Sequence, residues 1–289
     1  MNAGARLNLQ AGFVSVGILL LLLAVWHFST LSTGGAAATN LTPEQIEYQK
    51  MLGKDPSAGA KPNNGFPTLT QMRETVVRNL SSPFYDNGPN DKGIGIQLGH
   101  SLLRVALGFG IAALVAIPLG FVIGMSPLMY RALDPFIQVL KPISPLAWMP
   151  LALYTIKDSG VSGIFVIFIC SVWPMLLNTA FGVAGVRREW LNVAKTLEVT
   201  PLRKAFQVIL PAAAPTIVTG MRISMGIAWL VIVAAEMLVG GTGIGYFVWN
   251  EWNNLSLTNV IFAILVIGIV GMALDLMFAR LQRAISYVD

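Results

Sequence analysis

Long apolar stretches separated by short polar ones run down this chain, and their length sets the first expectation. A helix rises about 1.5 Å per residue, so roughly 20 apolar residues cross the hydrocarbon of a bilayer. Six charge-poor stretches have that length: residues 12–31, 98–124, 133–156, 162–184, 215–239 and 257–279. The pattern predicts an all-α, polytopic membrane protein of about six transmembrane helices. Pro118, Pro142, Pro145, Pro150 and Pro174 fall inside these stretches and are expected as kinks, since neighbouring helices in a bundle satisfy the backbone groups that proline frees.

Between the first two stretches the character changes. Residues 32–97 carry Pro43, Pro56, Pro62, Pro67, Pro83 and Pro89 among charged and amide side chains, and read as water-exposed. Thr42 followed by Pro43 predicts a helix start, and residues 68–80 a second short helix. Residues 83–93, dense in Pro, Asn, Asp and Gly, predict an ordered loop. The chain thus divides into residues 1–31 (tail and first span), 32–97 (an insert) and 98–289 (five further spans, with a polar loop at 185–214). The first stretch could also be read as a signal peptide, but it exceeds the usual 7–15-residue signal core and is expected to stay as an anchor.

Charge sets the orientation. With the N-terminus inside, the cytoplasm receives Arg6, Arg131, Arg187, Arg188, Lys195, Arg203, Lys204, Arg280 and Arg283, whereas the opposite short loops hold only Lys157. Cytoplasmic loops carry the Lys and Arg excess, so both termini are expected inside and residues 32–97 outside. Of the 289 residues 55% are hydrophobic and 11% charged, and the net charge of +5 comes from these loops rather than from any basic run that would grip nucleic acid. Cys170, alone of its kind, sits in an apolar run and reads as a small buried hydrophobe.

Catalytic chemistry is hard to find. There is no Gly-x-x-x-x-Gly-Lys-Ser/Thr phosphate loop and no His-Glu-x-x-His, and the two histidines, His27 and His100, stand far apart. No metal site is expected. Gly240-Gly241-Thr242-Gly243-Ile244-Gly245 lacks a lysine and follows a span, so it reads as a turn at the outer surface. An intramembrane enzyme would need a nucleophile with a base, or a metal cluster, within the spans.

The cytoplasmic segment between spans four and five is the informative one. Trp190, Leu191, Ala194, Leu197 and Val199 make a one-sided helical pattern broken by Thr200-Pro201, and a second short helix over 202–209 is expected to end at Leu210-Pro211. Such a helix pair suits either another protein's groove or the lipid headgroups. The segment resembles the Glu-Ala-Ala loop of ATP-binding-cassette importer permeases. Asn192, Val193 and Ala194 stand at the Glu-Ala-Ala positions, Glu198 at the glycine, and Leu210-Pro211 match the close. Ser101-Leu102-Leu103-Arg104-Val105, Pro142-Ile143-Ser144-Pro145, Thr219-Gly220-Met221-Arg222 and Ala234-Ala235-Glu236-Met237 are similar to the nitrate, sulfonate, taurine and bicarbonate branch. The Pro83–Gly93 loop resembles the cyanobacterial nitrate and bicarbonate permeases.

This resemblance implies a type I importer permease fold and import of a small inorganic anion, nitrate or nitrite first, with bicarbonate, sulfonate or taurine as alternatives. It implies cytoplasmic ATPase subunits that hold ATP and magnesium, a second permease copy, an external solute-binding protein and a bacterial inner membrane. The coupling loop to the ATPase would use Leu191, Asn192, Val193, Ala194, Leu197, Glu198, Phe206, Leu210 and Pro211. A stand-alone secondary transporter or channel should instead show inverted repeats, and comparing spans one to three with four to six reveals none.

Five ionisable residues lie within the predicted spans, where each should face protein or water. Arg104 and Glu236 sit at compatible depths near the outer side, an expected structural pair, and Asp275 is expected in a structural pair too. Lys141 and Arg222 are two cations against one acid in the inner half, so they are candidates for an anion pathway.

Overall fold

The structure is a computed structural model that describes residues 3–31, 66–88 and 90–285. The helix start expected at Thr42 lies outside the described residues. Helices in chain order are α1 (Ala3–Leu31), α2 (Leu69–Ser81), α3 (Ile94–Met125), α4 (Pro127–Leu140), α5 (Pro145–Ile156) and α6 (Ser159–Ala184). They continue with α7 (Arg188–Thr196), α8 (Pro201–Lys204), a π-helical turn (Ala205–Ile209), α9 (Leu210–Val239), α10 (Ile244–Asn253) and α11 (Leu257–Ile285). Among the described residues the only extended pairing is an isolated antiparallel bridge between Asp86 and Lys92.

Among the described residues five helical stretches are long and apolar enough to cross a membrane: Leu9–Thr30, Ile94–Met125, Ser159–Ala184, Pro201–Val239 and Leu257–Ile285. The sixth expected crossing, residues 133–156, is not one helix. It is α4 followed by α5, bent by 90°. Pro142 and Pro145 are the physical reason. Pro142, two residues past Leu140, has no N–H to carry α4 on, and Pro145 holds Ser144 in an extended conformation (φ −59°, ψ 137°) just before α5. At about 1.5 Å per residue the 12 residues of α5 cover only about 18 Å, so a crossing here needs both limbs. Pro118, Pro150 and Pro174, in contrast, lie inside unbroken helices.

The chain divides into two compact units, residues 1–81 with 254–262 and residues 82–253 with 263–289. In the first, Trp26 Nε1 donates to the Pro67 carbonyl (2.9 Å) and its ring lies 5.4 Å from that of Phe66. α2 is tied to the start of α11 by Asn79 Nδ2, which donates to Asn259 Oδ1 (3.1 Å). Phe13, Leu21 and Phe28 of α1 are exposed, as residues that face lipid should be.

In the second unit α6 is central, with α3 on one side and α9 on the other. One face of α3 is buried at helical spacing: Gln97, Ser101, Val105, Gly108, Ala112, Ala116, Gly120 and Ile123. Its other face, with Leu103, Leu107, Leu114 and Val122, is exposed and apolar. Small residues bring the helices together, because in lipid close packing rather than the hydrophobic effect holds helices against each other. A Cβ placed on Gly220 of α9 would meet Asn178 Cβ of α6 at 2.6 Å, and one on Gly120 of α3 would meet the Leu176 carbonyl oxygen at 2.6 Å. The predicted ordered loop is present too. Gly93 N donates to the Tyr85 carbonyl (2.7 Å), Asn87 N donates to the Asp91 carbonyl (2.9 Å), and Asn90 Oδ1 accepts from the Tyr246 hydroxyl of α10 (2.8 Å).

Candidate functional site

At one end of the second unit, α3 presents Gln97, Ser101 and Arg104 at i, i+4 and i+7, one helical face. Opposite them Glu236 lies in the last turn of α9, and the glycine-rich turn 240–245 folds back over it. Arg104 Nη1 donates to Glu236 Oε1 (2.8 Å) and to the Thr242 carbonyl (2.6 Å). The Ser101 hydroxyl lies 2.8 and 2.9 Å from the two carboxylate oxygens and accepts from Ile244 N (2.9 Å). Gly245 N donates to Glu236 Oε2 (3.1 Å), and Gly243 N to Gln97 Oε1 (2.5 Å). Glu236 is only 4% exposed, so its charge is tolerable only because each oxygen is met by donors.

The glycine-rich turn expected at the surface is therefore also the lid of a buried polar network. Side chains at 243 and 245 would collide with Glu236 itself. Gln97 and Ser101 were not singled out from sequence, although their spacing with Arg104 was there to be read.

The segment between α6 and α9 is built differently. α7 ends with Leu197 as its last half-helical residue, and Glu198 N donates to the Lys195 carbonyl while Val199 N donates to the Ala194 carbonyl, both at 3.1 Å. This is the double hydrogen bond of a Schellman ending, which needs a left-handed residue at its turn. Glu198, with φ +51°, is that residue. It stands where the Glu-Ala-Ala loop has its glycine, and its left-handed backbone costs on the order of 1 kcal/mol that glycine would avoid.

The apolar residues of this segment point two ways. Ala194 is buried, and Leu191 and Leu210 pack on a cluster of Val183, Val186, Ile209, Ala213 and Ile217. Val193, Leu197, Leu202 and Phe206 are exposed, as is Asn192. Leu202, Ala205, Phe206 and Leu210 also line a cavity of about 380 Å³ with Ile117, Pro118 and Phe121 of α3. The second short helix does not end at Pro211, as expected from sequence. Leu210 N donates five residues back to the Ala205 carbonyl, and this π-turn carries the chain into α9 with Pro211 in its first turn, where a missing N–H costs little.

At the level of α4, Lys141 caps the helix at the 90° elbow. The second expected pathway cation, Arg222, is not in surplus: its Nε and Nη2 each donate at 2.6 Å to the two carboxylate oxygens of Asp275 on α11. Both side chains of this bidentate pair are partly exposed, 37% and 51%. The depth argument had grouped Lys141 with Arg222 on straight helices, and the elbow at residues 141–144 removes that geometry. The histidines, carboxylates and cysteine make no metal-binding cluster among the described residues.

A bundle with lipid-facing flanks, internally compensated charges and an exposed helix pair between two crossings has the construction of a membrane permease. Residues 116–287 match the family described as binding-protein-dependent transport system inner membrane component, and the chain belongs to that family. It is 46% identical over 222 residues to the nitrate import permease protein NrtB of Synechocystis sp., covering 77% of this chain and 81% of the relative. It is 44% identical over 208 residues to the bicarbonate transport system permease protein CmpB of the same organism, covering 72% and 74%. Among solved structures, an inward-facing methionine ABC transporter, MetNI, matches with a TM-score of 0.58 at 14% identity, over 65% of this chain and 94% of that one. That likeness shows the importer permease fold.

Arg104→Met should strand the Glu236 carboxylate without its cation, a loss of about 3–5 kcal/mol. The purified protein in detergent should show a lower thermal midpoint, and adding Glu236→Gln to the same chain should recover part of it. A midpoint unchanged by Arg104→Met would mean that the network does not hold the turn.

Proposed function

We propose that this chain is the permease subunit of an ATP-driven importer whose cargo is a small inorganic anion, nitrate with nitrite first. The observation that carries this reading is the 46% identity to a nitrate import permease over most of both chains. Bicarbonate is the second reading, favoured by the 44% identity to a bicarbonate permease; a sulfonate or taurine follows. A stand-alone transporter or channel would have no use for the outward apolar residues of α7 and the π-turn.

In this reading two copies of the chain form the pathway, and cytoplasmic ATPase subunits bind ATP and magnesium and hydrolyse it. An external solute-binding protein delivers the anion on the side of residues 32–97. Both termini lie in the cytoplasm of a bacterial, cyanobacterial-type inner membrane. The coupling surface is the outward set Asn192, Val193, Leu197 and Phe206, while Leu191, Ala194 and Leu210 join the same segment to the bundle. Movement of an ATPase against α7 would pass through the π-turn into α9 without an intervening flexible loop, because the helix is continuous there.

Leu197→Ala with Phe206→Ala, both exposed, should leave the subunit folded and either lower ATPase co-purification or leave ATP hydrolysis uncoupled from anion uptake. Leu191→Ala should instead reduce folded yield, since it empties space in the bundle. Full coupling and assembly in the Leu197/Phe206 variant would remove this surface from the mechanism. For orientation, Asn87→Cys in a Cys170→Ser background should react with a membrane-impermeant maleimide in intact spheroplasts. Labelling only after lysis would reverse the topology.

A further inference from the structure

The cytoplasmic-side ends of α3 and α6 and the limb α4 enclose a cavity of about 630 Å³. Its polar lining is Tyr130, Arg131, Lys141 and Asn178; the remaining walls, from Ile123 to Phe181, are apolar. No carboxylate lines it. Asp134, the one acid on α4, is engaged by Gln138 Nε2 at 2.5 Å, and neither Arg131 nor Lys141 has a carboxylate partner among the described residues. Helix dipoles do not cancel this charge. The carbonyl ends of α3, α4 and α6 bring about half a negative charge each and the amide end of α4 about half a positive one, which leaves a net charge near +1.

The cavity also has depth. Gly124, Pro127 and Ala184 mark its mouth at the helix ends, and Asn178, six residues before Ala184, lies about 9 Å further in. Arg131 lies one turn past Pro127 near the mouth, and Lys141 lies ten residues on, about 15 Å further along α4; such exposed cations beside apolar walls are stable only if water or an anion meets them.

The geometry points to an oxyanion-binding site in this cavity, held by Arg131 and Lys141, with the Tyr130 hydroxyl and the second Nδ2 hydrogen of Asn178 as neutral donors, the first being given to the Pro174 carbonyl (2.8 Å). A planar guanidinium and an ammonium on one cavity wall suit an anion with several oxygens, and the donors reach it from different helices. The same chemistry is offered by a transported anion leaving the bundle and by the headgroup of an anionic phospholipid in the inner leaflet. The first source rests on the proposed anion-import function; the second does not.

The test uses the whole transporter, this chain with its ATPase partners and the external binding protein, in vesicles of phosphatidylcholine alone and of phosphatidylcholine with phosphatidylglycerol. Arg131→Gln/Lys141→Gln is compared with the native complex and with Arg280→Gln, a charge loss outside the cavity. If the transported anion is the ligand, uptake of labelled nitrate at low concentration should fall about tenfold in phosphatidylcholine alone, as for loss of one charge-assisted contact. If the headgroup is the ligand, that uptake is unchanged, and the phosphatidylglycerol retained through purification, read by mass spectrometry, is lost from the double variant only. In either case Arg131→Lys/Lys141→Arg should keep most of the native behaviour. The proposal is overturned if an assembled double variant keeps both nitrate uptake and phosphatidylglycerol retention, or if the charge-keeping variant loses as much as the neutral one. Where the double variant does not assemble, the single Gln variants give the same readouts with smaller falls. A native complex that moves bicarbonate and not nitrate counts against the cargo reading alone, and the variants are then compared on bicarbonate.

Discussion

Hydrocarbon offers no water to a backbone amide or a charge, and this constraint explains most of what the chain does. It makes the crossings helical, because only a helix satisfies its own N–H and C=O groups along its length. It also makes the ends of helices the hard part. Glu236 addresses one such end by gathering the N–H of Gly245, the hydroxyl of Ser101 and the guanidinium of Arg104 onto one carboxylate. Gln97 takes the N–H of Gly243 in the same way, so a turn with no regular structure is fixed by side chains from α3. α10 starts from that turn, and its position depends on it.

In the segment between α6 and α9 the same chain accepts strain. Glu198 adopts a backbone conformation suited to glycine, and the helix beyond it widens into a π-turn before Pro211. Both irregularities sit in the segment whose apolar residues divide between bundle and solvent. The segment packs on Val183 and Ala213 on one side and leaves Leu197 and Phe206 bare on the other. The end that carries Glu236 is fixed by buried charge, whereas this segment joins the bundle through apolar packing.

Much of this was legible in the residues. The apolar stretches marked the crossings because lipid demands a fixed length, and Arg104 with Glu236 could be matched by counting residues from the outer ends. Pro142 and Pro145 were expected as kinks within one span, because the run 133–156 is apolar enough to read as a single crossing despite Asp134, Gln138 and Lys141; hydropathy does not register that two prolines three residues apart end one helix and start another. Which of Lys141 and Arg222 would meet Asp275 could not be read from sequence: depth along a helix says nothing of azimuth, and Asp275 faces Arg222. The roles of Gln97 and Ser101 depend on where a turn 140 residues later folds back, which no local pattern encodes. Residue 198, read as a departure from the family glycine, has the left-handed backbone that glycine adopts most readily.

The central claim is that this subunit moves its anion uphill only when ATPase partners drive it. Accumulation of labelled nitrate in sealed vesicles holding the reconstituted transporter and its external binding protein tests that directly. The account predicts accumulation above the external concentration with ATP supplied on the ATPase side, and none without it. Uphill accumulation that persists without ATP and collapses with the membrane potential would contradict it.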